Sequence, residues 1–119
     1  MTEPRIDDDA DWSFPYEALL DEVFPALHRV QSEWLGQLES LTALDRKTHE
    51  LVRLACTTGI RNLPGIERHA RLAREVGATW AEVAEAVMLT QPSFGVLPAV
   101  EALPVARRGF DSAEPPETE

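Results

Sequence analysis

Apolar side chains recur every third or fourth residue from about position 15 to position 110, and almost nothing alternates, so the chain is patterned for helices and not for sheet. The punctuation agrees. Asp45 precedes one periodic run as an N-cap, Gly59 closes it, and Pro64 suits the first turn of the next helix, where a missing N–H is harmless. Thr79 and Glu82 have the spacing of a capping box, and Gln91-Pro92 ends the helix that this box begins. The expectation is an all-α bundle of about five or six helices.

Helical wheels sort the residues further. In a first segment over residues 15–39, which Pro25 kinks or divides, Leu20, Val23, Phe24, Leu27, Val30, Trp34, Leu35 and Leu38 share one arc. Thr48, Leu51, Val52, Leu54 and Ala55 form the arc of the second, with Glu50 at its border, about 40° from Leu54. In the third, His69 falls on the apolar side among Ile66, Leu72, Ala73 and Val76, while Arg68, Arg71 and Glu75 face the other way. A histidine placed so needs partners for its ring nitrogens. Trp80, Val83, Ala84, Val87 and Met88 make the stripe of the fourth, and Val100, Leu103 and Pro104 mark a last stretch, 98–110, that packs against a neighbour.

At 119 residues and 44% hydrophobic, the chain suits one domain, expected over residues 14–111. The net charge of −10 is concentrated at the ends: residues 1–11 and 111–119 hold nine acids against one Arg. Residues 1–13 and 112–119 are therefore expected to be solvated, disordered acidic tails. A near-neutral body in an acidic envelope disfavours nucleic acid as a partner, since phosphate binding needs clustered Lys and Arg. No apolar run reaches the roughly 20 residues that span a bilayer and no secretory leader is recognisable, so a cytoplasmic location is expected. The single cysteine, Cys56, has no internal partner for a disulfide.

One spacing carries a resemblance. Dithiol peroxidases of the alkylhydroperoxidase D kind have Glu-x11-Cys-x2-Cys-x3-His, and this chain has Glu50-x11-Asn62-x2-Gly65-x3-His69, with both cysteine positions emptied. The run Leu44-Asp45-Arg46-Lys47-Thr48-His49-Glu50 resembles the helix that delivers the family's glutamate. The run from His69 through Gly77 to Val83 is similar to its histidine helix and the turn after it. The likeness spans residues 44–90 and places the chain with the cysteine-free branch of the carboxymuconolactone decarboxylase-like group. Phe94-Gly95-Val96-Leu97-Pro98 is only loosely similar to the aromatic-Gly-Gly-Pro turn of the decarboxylase branch, because the proline is displaced by one and Val96 replaces a glycine.

The resemblance implies a cofactor-free lyase or isomerase acting on a small carboxylate or lactone, without redox chemistry, because thiol exchange requires an attacking and a resolving thiol. Glu50 and His69 would be the catalytic acid/base pair. Arg61, Asn62, Gly65 and Phe94 would face the substrate, with Val87, Met88 and Leu97 adding an apolar wall. Two readings stand for Asn62, an anion-binding amide or a helix cap, and two for Gly65, a widened pocket or a tight turn. The rival to catalysis is a binding or assembly module that kept the fold and lost the chemistry. The resemblance also implies a homo-oligomer, a trimer or hexamer. No metal site is expected from three scattered histidines, and His28, His49 and Cys56 read as surface groups.

Overall fold

Residue 24 is where the first long periodic segment breaks. Proline disfavours helical backbone in the residue before it, and Phe24, ahead of Pro25, takes φ −133° and ψ 69°. In this computed structural model, which describes residues 14–114 and Pro116, the segment is therefore two helices, α1 (Phe14–Val23) and α2 (Pro25–Glu39). They pack on each other within a first unit that ends at Ala43. Tyr16 donates its hydroxyl to Gln31 at 3.0 Å, and His28 lies 3.3 Å from Asp21 and 3.5 Å from Glu17. Among the described residues the apolar arc expected here is only partly covered: Leu20 and Leu38 are half-buried, while Val23, Phe24, Leu27, Val30 and Trp34 are all more than half exposed. The expected tail over residues 1–13, Trp12 included, lies outside the described residues, as do positions 115 and 117–119 of the C-terminal one.

The second unit, from Leu44, holds α3 (Arg46–Gly59), α4 (Leu63–Glu75), α5 (Trp80–Met88), α6 (Gln91–Phe94) and α7 (Val96–Ser112). Its helix starts obey the sequence signals. Asp45 accepts the Thr48 N–H at 2.8 Å, and Pro64 sits in the first turn of α4. Thr79 and Glu82 close a reciprocal capping box, with bonds of 3.1 and 2.9 Å. The described helices number seven, against five or six expected, through the break at Phe24 and the single turn of α6. No strand occurs among the described residues, and no helix among them is long and apolar enough to cross a membrane.

The core of this unit is Leu54 from α3, Ile66, Ala70 and Ala73 from α4, Val83 and Val87 from α5, and Ala99, Ala102, Ala106 and Phe110 from α7. Burying each large aliphatic chain stabilises the fold by about 1.5–3 kcal/mol. The most extensive packing is between α4 and α7. There the backbones meet so tightly that a Cβ on Gly109 would collide with the Glu67 carbonyl. That approach corrects the expectation for the last helix: Val100 and Pro104 are exposed, and the buried face is the small-residue row of Ala99, Ala102, Ala106 and Gly109. Small side chains are weak hydrophobic signals, yet they let helices approach closely. At one edge Phe110 tilts against Trp80, ring centroids 5.6 Å apart, while the Arg74 guanidinium lies 4.4 Å over its ring and donates to its carbonyl.

Candidate functional site

Glu50 lies one turn into α3 and His69 midway along α4, and the packing of these two helices buries both, leaving them 4% and 9% exposed. The Nδ1–H of His69 donates to Oε1 of Glu50 at 2.9 Å. An ionised carboxylate can only accept, so Nδ1 carries the proton of this bond and Nε2 is the nitrogen left to exchange one. Among the described residues Nε2 has no hydrogen-bond partner, and the side chain keeps 11% of its surface open. The second carboxylate oxygen of Glu50 accepts from the Arg46 guanidinium at 3.5 Å. A buried carboxylate needs such partners to replace the water it has lost. The arrangement is thus a cation at the rim, a carboxylate within, and an imidazole whose free nitrogen can give or take a proton.

Sequence placed Glu50 at the border of its apolar arc; the structure buries it, because α4 covers that border as well. Arg46 was missed, although it stands four residues before Glu50, the spacing at which a helix brings opposite charges together. Arg71, expected on a solvent face, keeps only 12% of its side-chain surface.

The two emptied cysteine positions have structural duties. Asn62 accepts the Gly65 N–H at 3.1 Å and caps α4, so the cap reading describes where its oxygen goes. Gly65 is buried, and a Cβ there would stand 2.8 Å from both the Asn62 amide nitrogen and the Thr57 methyl. Its missing side chain makes room for neighbours and not for a guest.

Arg61 and Phe94 meet, but elsewhere. They line a hollow of about 480 Å³ together with Gly59 and the stretch Gly95 to Pro98. Gly59 is nine residues beyond Glu50 on α3, which at 1.5 Å rise per residue is about 13.5 Å along the axis. The hollow therefore opens at the far end of the helix from the acid/base pair. The expected wall is dispersed: Val87 is in the core, Met88 is on the surface, and Leu97 lines the hollow. A second hollow of about 380 Å³, between α3 and α5, is floored by Leu51, Ala55 and Ala86 and rimmed by Glu82 and Glu85.

Arg61 also has an unusual backbone. The Arg61 N–H bonds to the Thr58 carbonyl and the Asn62 N–H to that of Thr57, the paired bonds of a Schellman helix end. Its middle residue is left-handed, and Arg61 has φ +59°. The same bond pair ends α4, where Gly77 occupies the left-handed position with φ +105°. A side chain in that conformation costs roughly 1–2 kcal/mol that glycine avoids. The Arg61 guanidinium reaches Glu101 of α7 at 3.1 Å, a partner forty residues on for which the sequence carried no signal.

His49 meets Arg46 at 3.1 Å, and Cys56 is exposed with its thiol free. No group of three or more potential metal ligands occurs among the described residues. Across residues 25–108 the chain matches the model of the carboxymuconolactone decarboxylase family, and it belongs to that family. No curated protein matches it.

Proposed function

We propose that this member of the carboxymuconolactone decarboxylase family is a cofactor-free lyase or isomerase that moves protons on a small carboxylate or lactone with Glu50 and His69. One observation carries the reading: a buried imidazole held by a buried carboxylate at 2.9 Å, with Nε2 left over. As a base, Nε2 takes a proton from carbon beside a carbonyl. As an acid it returns one, and the imidazolium formed between those events is stabilised by the Glu50 carboxylate. In a decarboxylation the bond from the substrate carbon to its carboxylate breaks. Carbon dioxide leaves, the electron pair enters the conjugated lactone, and Nε2, which first takes up a proton from water, delivers that proton to carbon. Glu50 stays ionised throughout and fixes the ring.

The expected result is carbon dioxide release from a carboxy-substituted unsaturated lactone, lowered at least about a hundredfold in Glu50→Gln and in His69→Ala. Circular dichroism should remain unchanged. A dithiol peroxidase needs two thiols, and the chain has one cysteine.

The rival, a non-catalytic binding or assembly module, is favoured by the structural duties of Asn62 and Gly65 and by the apolar surface of α1 and α2. It prevails if both substitutions change stability and nothing else. On either reading the protein acts as a homo-oligomer, trimer or hexamer, in the cytoplasm, and the exposed row from Val23 to Trp34 supports self-association.

A further inference from the structure

The hollow at the end of α3 has the parts of a binding site that the acid/base pair does not use. Its volume, about 480 Å³, falls within the roughly 300–1,000 Å³ typical of small-molecule sites. Phe94, Val96, Leu97 and Pro98 give it apolar walls, and Arg61 is its cation. The Phe94 ring lies where a side chain on Gly59 would be: a Cβ there would come within 2.6 Å of it. The glycine thus sets the ring's position. Arg61 holds a left-handed backbone conformation that the equivalent helix end gives to Gly77, so the chain keeps a forked cation where glycine would be easier. Its present partner, Glu101, is about half exposed and bonded at 3.1 Å, an ion pair that another carboxylate can replace at little loss.

We propose that this hollow is a site, separate from Glu50 and His69, for a small carboxylate with a flat apolar body, whose carboxylate displaces Glu101 from Arg61. The apolar body lies against Phe94 and Leu97, and the guanidinium takes both carboxylate oxygens. Glu101 is then an internal competitor, occupying the cation until the ligand arrives.

Benzoate is the probe, with benzamide as its uncharged counterpart, each titrated into the full chain by calorimetry and by proton NMR. Benzoate should bind, benzamide at least about tenfold more weakly. The Phe94 ring resonances should shift while those of His69 stay in place. Glu101→Gln should tighten benzoate by up to about fivefold, the worth of one exposed ion pair. Arg61→Gly should weaken it at least about tenfold with Tm at or above that of the parent, because glycine suits the left-handed position. Gly59→Ala, whose Cβ would meet one edge of the Phe94 ring and displace it, should weaken binding with the fold kept. The proposal is overturned if benzoate and benzamide bind alike, if neither binds, or if His69 shifts in place of Phe94. It is equally overturned if Arg61→Gly lowers Tm and leaves affinity unchanged, the behaviour of a purely structural ion pair.

Discussion

Glu50 and His69 hold each other in place by an exchange that the solvent would otherwise provide. Removing either partner strands the other in a buried interface, so His69→Ala is expected to lower stability by about 1–3 kcal/mol in urea unfolding. The double variant Glu50→Ala/His69→Ala should recover part of that loss, since neither polar group is then left unpaired, and a double-mutant cycle measures the coupling. Arg46 touches the same carboxylate from a position half open to water, at 3.5 Å. Arg46→Ala should therefore cost under about 1 kcal/mol. The pair was singled out by its resemblance to the family's Glu-to-His spacing, which two regular helices carry here. Which ring nitrogen meets which carboxylate oxygen, at 2.9 Å, was not legible in the sequence, because that depends on how α3 and α4 pack.

Helix ends and one close approach govern the elements. Thr79→Ala removes half of the capping box on α5 and should cost about 1 kcal/mol. Acid should weaken the same starts. Hydrogen bonds from the Thr48 backbone hold the Asp45 carboxyl below its ordinary value, and those from the Thr79 backbone, with the Lys47 ammonium second, do the same for Glu82. Carboxylates with lowered folded values contribute stability that is fully present above their unfolded values, here 3.8 and 4.5, and that is lost as pH falls through the folded ones. Thermal unfolding should thus show Tm falling below about pH 4.5 in the parent, and less steeply in an Asp45→Asn/Glu82→Gln variant. At the contact of α4 with α7, Gly109→Ala forces the backbones apart and should cost about 1–3 kcal/mol in urea. The caps could be read from the chain because they are local chemistry. Gly109 could not, since nothing in its neighbourhood announces that Glu67 will face it.

For the whole molecule, the apolar arc of α1 and α2 was visible as a pattern, and most of it is exposed among the described residues. Light scattering at micromolar concentration should give the mass of a trimer or hexamer. Trp34→Glu, which puts a charge in the middle of that row, should lower the mass if the row forms the contact. Helical class, helix starts and the apolar side on which His69 lies are written in the sequence, because each comes from periodicity or from bonds spanning three or four residues. Folding in three dimensions decided that Asn62 and Gly65 would serve the backbone and that Arg61 would join Phe94 and Glu101 at the opposite end of α3. Those outcomes depend on surfaces that meet only after the helices pack, where tens of residues of separation disappear into a few ångströms.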